Sequence, residues 1–209
     1  MERGARIYTQ GHLQEMQMNP DPMLEFVAQW ALAENRYGED AGIMSLSTVC
    51  AQLRPHSRMV LLKKQEGRNF EFYTQYRSSK ASELAFSPFG ALLFFWPELG
   101  KQIRVEGAIA KIPEPESAAY FATRPRESQI GAWASIQSRS IESRDVLEAQ
   151  VGTFEAQFGS GPIPYPPHWG GYRLTATMLE FWQGRSARLH DRIAYVYEGS
   201  EWTRTRLCP

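Results

Sequence analysis

The stretch Phe181–Arg192, FWQGRSARLHDR, holds Arg185, Arg188 and Arg192 together with His190 and Asp191, directly after an aromatic run. Guanidinium groups stay cationic at any working pH and bind anions through a rigid fork, while an imidazole can donate, accept or simply position. Such a set suits a site that grips and polarises a charged small molecule. It suits a solvated hairpin tip equally well, and nothing inside the stretch decides between the two.

Other candidates are dispersed along the chain. RMVLLKK puts Arg58 at the start of an apolar strand and Lys63 and Lys64 at its end. Alternation sends Arg58, Val60 and Leu62 to one face and Met59, Leu61 and Lys63 to the other. The bland alternative is a buried strand with solvated ends. YTQYRSSKASEL places Tyr73 and Thr74 before a serine-rich helix start with Lys80 in its first turn. Free N–H groups and the positive end of the helix dipole gather there, so a cation is unfavourable unless an anion is bound too. The choice is a phosphate near Ser78 to Lys80, or an exposed lysine of little cost. In YFATRPRESQIGAW, Tyr120 and Arg124 share a face if the helix reaches Arg124, although Pro125 argues for a break. Tyr120, Arg124, Arg126 and Ser128 around that break would make a second anion clamp. Gln137 and Ser138 stand at a further helix entry, where plain capping competes. Two anion clamps, with Gln102 and Trp182 as amide and aromatic company, point to a phosphorylated cofactor acting on a phosphorylated substrate.

Several functional classes drop out. Lys+Arg and Asp+Glu both number 23, so the chain lacks the positive field of a general nucleic-acid binder. A neutral chain also does not discourage self-association. The cysteines, Cys50 and Cys208, form no disulfide framework or CxxC clip, and no HExxH, GxSxG or Walker loop is present, so no metal is expected. GSGPIPYPPHWGG is glycine-rich, but its prolines lack N–H groups, and it reads as a rigid connector. No signal-type run and no window of ~20 apolar residues occurs, so the expectation is a cytoplasmic protein without a membrane partner.

The elements that must carry these groups are legible in outline. Residues 1–20 read as a polar N-terminal arm and residues 21–209 as one α+β, mainly β, domain. A helix starts at Asp21 as cap and Pro22, with Leu24, Val27, Trp30 and Ala31 at helical spacing and Gly38 past its end. IMSLSTV, SRMVLLKK, NFEFYTQY, GALLFFWPE and QIRVEGAIAKI read as strands of a meander or barrel. SSKASELAFSP is a short helix with a serine cap and a proline stop. Three helices follow between Pro113 and Phe158. Strands then return in YRLTATMLEFWQG, AYVYEG and EWTRTRL, which favours one domain over two.

The order RMVLLK, FYT with a following SK, KQIRVEG, YFATRPRESQIGAWAS with QS, HWGGYR, and FWQG with RLHDR closely resembles the pyridoxine (pyridoxamine) 5′-phosphate oxidase family, from about Asp21 to Pro209. The resemblance implies an FMN-binding split β-barrel, Greek-key-like with peripheral helices, forming a homodimer with FMN at the interface. It implies oxidation of pyridoxamine or pyridoxine 5′-phosphate to pyridoxal 5′-phosphate by hydride transfer to flavin N5, with oxygen as acceptor and hydrogen peroxide as product. FMN contacts are implied for Arg58, Met59, Val60, Leu61, Leu62, Lys63, Tyr73, Thr74, Lys80, Gln102, Gln137, Ser138, Trp182 and Arg192. Substrate contacts are implied for Lys63, Tyr120, Arg124, Ser128, Arg188, Leu189 and His190, with Arg188 and His190 catalytic over the pyridine ring. Within the opening stretch, Arg185 is then expected to be solvated and Asp191 to orient a neighbouring arginine.

The chain departs from the family pattern in three places. Ser79 stands where an arginine is usual, so weaker FMN binding is expected, with Arg77 the nearest replacement. STVCAQLRPHSR lacks an Asp-Gly type of turn, with a local effect expected. Ala5 falls where an arm arginine often covers the substrate, although Tyr8 is present. Two alternatives stay open: a non-catalytic FMN or pyridoxal-phosphate binding protein of the same fold, favoured by Ser79, and a related flavin oxidase on another substrate, disfavoured by Lys63, Tyr120, Arg124 and Ser128.

Overall fold

The computed structural model describes Tyr8 and residues 11–209. The Asp21 carboxylate accepts the Met23 N–H at 2.9 Å and caps helix α1 (Pro22–Tyr37), which Gly38 ends at φ 57°. The row read at helical spacing is, apart from Trp30, not the buried one. Leu24 and Val27 are 56% and 50% exposed, and Ala31 is exposed as well. The helix instead buries Met23, Phe26, Gln29 and Ala33, with Trp30 half-buried. Both rows have helical spacing, and the large ring decides: Phe26 packs edge-on to Phe70 and Phe94 with centroids 4.9 and 5.4 Å away.

Nine strands follow: β1 (Ile43–Val49), β2 (Pro55–Leu61), β3 (Lys64–Glu66), β4 (Asn69–Gln75), β5 (Phe89–Trp96), β6 (Lys101–Lys111), β7 (Trp169–Gln183), β8 (Asp191–Glu198) and β9 (Glu201–Leu207). They form an antiparallel sheet in the order β2-β1-β5-β6-β7-β4-β3, with β8 and β9 branching from β7. The branch arises because β7 changes partner along its length. Trp169–Thr175 pairs with β4, and Met178–Gln183 pairs with β8, while β6 covers the other edge from Tyr172 to Gln183. Near the change, the β6–β7 register shifts at Glu106/Gly107, where a Cβ on Gly107 would overlap the Thr175 carbonyl oxygen. The sheet curls until the end of β2 meets β4, where the Lys63 N–H donates to the Glu71 carbonyl at 2.8 Å. The result is the expected mainly β split barrel.

Helices α2 (Ser79–Phe86), α3 (Glu114–Thr123), α4 (Arg126–Ala134) and α5 (Arg144–Phe158) lie around it. The main core holds Phe70, Phe72, Phe94, Phe181 and Tyr195, and a second cluster of Phe121, Ile130, Ala132, Ile163 and Trp169 sits with α3 to α5. Four details refine the sequence reading. The Ser78 hydroxyl donates to the Gln75 carbonyl at 2.7 Å instead of capping α2. Strand β3, three residues long, was not foreseen. Trp169, Gly170 and Gly171 belong to β7 and not to the connector, because the glycines admit the rings of Tyr76 and Tyr73 at close approach. The β1–β2 link uses Leu53 at φ 58°, and the register stays unbroken from Ile43↔Leu61 to Val49↔Pro55.

At the N-terminal side, Leu13 and Met18 are buried, and Arg206 and Arg204 donate to their carbonyls at 2.8 and 3.0 Å. Ala5 lies outside the described residues. No described helix is long and apolar enough to cross a membrane.

Candidate active site in two halves

The first half lies where β2, β4, the start of α2 and the α3–α4 break converge. A cavity of ≈ 450 Å³ is lined by Met59, Val60, Leu61, Lys63, Tyr73, Thr74, Lys80, Tyr120, Arg124, Ser128, Gln137 and Trp169, among others. A cavity of ≈ 480 Å³ adjoins it through Met59, Lys80 and Gln137 and adds His56, Arg58, Ser79, Glu83 and Ser138. Strand alternation is as expected: Val60 and Leu62 pack on the core, while Met59, Leu61 and Lys63 are exposed.

Two cations here are short of an anion. Lys80 is buried, and its Nζ donates only to neutral oxygens, Gln137 Oε1 at 2.7 Å and Thr74 Oγ1 at 3.2 Å. Burial, followed by nearby Arg58, lowers its pKa to about 8 against the pull of Glu83. Arg124 lies with its guanidinium carbon 4.6 Å over the Trp169 ring, and its Nη1 is buried without a hydrogen-bond partner. Burial lowers the Arg124 pKa as well. Tyr73 stacks on Tyr120 at 3.9 Å and on Trp169 at 5.4 Å. Burial, with a smaller contribution from Glu71, pushes its phenol up to about 12. A buried ammonium with neutral partners and an orphaned guanidinium nitrogen fit two phosphate groups.

Arg58 is more committed than its sequence position implied. Its Nη2 meets Glu83 at 2.9 Å, and its Nη1 donates to the Leu46 carbonyl at 3.2 Å and to Thr48. His56 Nδ1 also meets Glu83, at 2.6 Å. Burial raises the Glu83 pKa, but the hydrogen bonds from Thr48, His56 and Arg58 outweigh it, and the net shift is down. Sequence reasoning named Arg58 but missed Thr48, His56 and Glu83. The available signal was Glu83 lying one helical turn beyond Lys80. Pro125 does break the helix, as expected, but Arg126 leaves the clamp and donates to the Gly159 and Gly161 carbonyls.

The second half is the β7–β8 hairpin. Gln102 pairs in register with Trp182, and Trp182 with Arg192. The His190 ring lies 4.6 Å from Trp182, and Tyr8 stands edge-on to both, at 5.5 Å from Trp182 and 6.1 Å from His190. His190 Nδ1 accepts the Arg185 N–H at 3.0 Å, which leaves the proton of a neutral ring on Nε2. Arg192 donates from Nε to buried Glu180 at 2.7 Å and from Nη1 to the Cys208 carbonyl at 3.0 Å. Burial raises the Glu180 pKa, yet Arg192 and Arg104 more than offset it. Arg185 is not solvated as expected: it contacts His12 and pairs with Asp191 at 3.2 Å. Asp191 orients its neighbours as anticipated, also holding Arg206 at 3.0 Å. At the tip, Ala187 and Arg188 take φ of 54° and 60°, and Leu189 is 68% exposed. The Arg188 side chain is exposed and has no partner among the described residues.

These halves do not meet within one chain. Thr74 pairs with Gly170 at the start of β7, whereas Arg192 pairs with Trp182 near its end. The intervening strand runs for about 40 Å of path at ~3.3 Å per residue. Neither cavity of the first half is lined by Gln102, Trp182, Arg188, Leu189, His190 or Arg192.

A split barrel with two anion-seeking cavities at one end and a cationic hairpin at the other defines the class. Residues 33–158 match the family model described as pyridoxamine 5′-phosphate oxidase, and residues 169–209 match the pyridoxine 5′-phosphate oxidase C-terminal dimerisation region. The chain is 49% identical over 205 residues to the pyridoxine/pyridoxamine 5′-phosphate oxidase of Cupriavidus necator, covering 98% of this chain and 96% of that one. It is 46% identical over 204 residues to the protein of that name in Acaryochloris marina, covering 98% and 93%. The chain belongs to the pyridoxamine 5′-phosphate oxidase family. Among solved structures, PhzG from Burkholderia lata 383, in complex with tetrahydrophenazine-1-carboxylic acid, aligns with a TM-score of 0.86 at 28% identity over 93% of this chain and 95% of that one. A pyridoxamine 5′-phosphate oxidase-related, FMN binding protein from Nostoc punctiforme shares the fold, with a TM-score of 0.74 at 18% identity over 92% of this chain and 100% of that one.

Proposed function

We propose that the chain is an FMN-dependent oxidase converting pyridoxamine 5′-phosphate or pyridoxine 5′-phosphate to pyridoxal 5′-phosphate, with oxygen as acceptor and hydrogen peroxide as product, and that two copies share each active site. The observation that carries this reading is the pair of anion-short cations, Lys80 and Arg124, in adjoining cavities. One copy supplies Lys80, Gln137 and Ser138 to the FMN phosphate, and Arg58 to Lys63, Tyr73 and Thr74 to the rest of the cofactor. The same copy holds the substrate phosphate with Lys63, Tyr120, Arg124 and Ser128. The second copy brings Gln102, Trp182 and Arg192 to the cofactor and Arg188, Leu189 and His190 to the substrate. The match of residues 169–209 to the family's dimerisation region supports this division.

FMN, when bound, supplies the electron chemistry, accepting a hydride from the substrate's C4′ carbon and passing electrons to oxygen. The protein's share is orientation and electrostatics. Arg124 fixes the phosphate end, so the pyridine ring takes one position. Arg188 polarises the ring substituents as charge redistributes. His190, its Nδ1 occupied by Arg185, offers an Nε2–H as donor. Met59 and Leu61 wall the site with apolar surface.

Anaerobic addition of pyridoxamine 5′-phosphate to FMN-loaded protein is expected to bleach the visible flavin band. Absence of bleaching favours a non-catalytic binder. The PhzG ligand carries a carboxylate and no phosphate, so an oxidase on another substrate is the second reading. Equal turnover of unphosphorylated pyridoxine would select it. For the shared site, at substrate well below the raised KM of Arg124→Ala, mixing Arg124→Ala subunits with Arg188→Ala subunits should restore activity, because each mixed dimer holds one intact site. No recovery after verified subunit exchange sinks the sharing.

A further inference from the structure

Ser79 brings a hydroxyl to a place where a phosphate needs donors with charge. Inside the cavity, Arg58 is engaged with the Glu83 carboxylate, so Lys80 is the one interior cation without an acidic partner. Directly outside lies a third cavity of ≈ 290 Å³, joined to the inner one through Ser79, Glu83 and Ser138. Arg77 and Arg139 line it. Both side chains are exposed, and neither makes a hydrogen bond or ion pair among the described residues. They arrive from different elements: Arg77 precedes α2, while Arg139 follows Ser138, which sits at φ 70°. The one acidic group on the shared wall, Glu83, already binds Arg58, His56 and Thr48.

We propose that Arg77 and Arg139 close the outer side of the FMN phosphate cradle, supplying from two other positions the guanidinium charge that Ser79 does not. This rests on the reading that FMN is the cofactor. A phosphate dianion seated at Ser79 and Lys80 would then be held from within by Lys80, and from the solvent side by two forks able to donate in pairs. The outer contacts are solvent-exposed and hence screened, so each is weaker than the Lys80 contact and falls with added salt.

The test compares FMN with riboflavin, which has the same ring and ribityl chain but no phosphate. Dissociation constants are read from flavin fluorescence quenching for the wild type, Arg77→Ala, Arg139→Ala, the double variant and Arg139→Lys. The expected result is FMN weakened about 10-fold in the double variant, riboflavin changed less than about 2-fold, and a shallower salt dependence for FMN. Arg139→Lys should fall between wild type and Arg139→Ala. Unchanged FMN affinity in the double variant overturns the assignment, as does an equal loss for both ligands, which marks a fold defect. A wild-type protein that takes up no FMN overturns the cofactor reading itself, so the two failures are distinguishable.

Discussion

Replacing Lys80 by methionine separates what the buried cation costs from what it does. In the FMN-free protein its pKa falls from 10.5 to about 8. At about 1.4 kcal/mol per pH unit, keeping it protonated at neutral pH costs the fold about 3 kcal/mol relative to the unfolded chain. Methionine removes that cost but loses the hydrogen bonds to Thr74 and Gln137, at about 1 kcal/mol each. The net expectation is an FMN-free variant more stable by about 1 kcal/mol, with a Tm higher by about 2–4 °C. The sign of the pH dependence follows from the lowered pKa. Between about 8 and 10.5 the unfolded chain holds the proton and the folded chain does not, so stability rises with pH. From about pH 7 to 9 this one group adds about 1 kcal/mol to the wild type and nothing to the variant.

FMN binding should move the other way. A charge-assisted hydrogen bond to phosphate is worth about 1.5–3 kcal/mol, so Lys80→Met weakens FMN about 10- to 100-fold. Urea unfolding of the FMN-free proteins at two pH values, with flavin fluorescence titration, reads both effects. Lys101, whose pKa burial also lowers, contributes a like rise to both proteins, so the difference between them is what counts. A variant that is less stable at neutral pH, keeps the whole of the wild-type alkaline rise, or binds FMN as well as wild type would refute the reasoning.

On the proposed reading, Arg124→Ala should raise KM for pyridoxamine 5′-phosphate by about 30-fold or more, with a smaller fall in kcat as the ring loses its fixed position; steady-state kinetics decides. Gly107→Ala should destabilise by about 2–4 kcal/mol, read as a lower urea midpoint, since its Cβ would meet the Thr175 carbonyl at the bulge. Glu180→Gln should flatten the acid limb of stability. The folded pKa of Glu180 is depressed, so its contribution is present above the ordinary carboxylate pKa and lost as pH falls through the lowered value. Thermal unfolding across the acid range compares the two proteins.

Most strands were legible because each is a short apolar run bounded by glycine, proline or asparagine, and β1 falls on Ile43–Val49 as read. The face of α1 was not, because two apolar rows lie one position apart and only the Phe70–Phe94 niche selects Phe26. The end of the connector was misread for a related reason. Gly170 and Gly171 look like punctuation, but their missing Cβ atoms make room for Tyr76 and Tyr73 inside a paired strand. Within the site, Lys80 stood out because a cation at a helix start conflicts with local preference, and Arg124 because it converges with Tyr120 and Ser128 at a proline break. The Thr48–His56–Glu83 trio gave no comparable signal. Its members belong to β1, β2 and α2, and they become neighbours only once the sheet curls.

The division of the site is the part no spacing rule reaches. Family motifs in sequence order list one set of contacts, and they do not say which copy provides each. The run of β7 supports the proposed division: Gly170 belongs to the Tyr73–Thr74 end and Trp182 to the Arg188–His190 end. On the proposed reading, each end is half of a different site, and both ends look unfinished. Met59 and Leu61 are 62% and 45% exposed beside one half, and Leu189 projects with Arg188 from the other. Exposed apolar side chains flanking unsatisfied cations are a poor surface for an isolated chain and a suitable one for a face that closes over a ligand. Apposing two copies would bury the apolar edges and bring the Arg188–His190 tip over the Lys63–Arg124 clamp in the same event. Dimerisation is then a condition of catalysis, and dilution below the dimer dissociation constant should abolish turnover together with FMN retention.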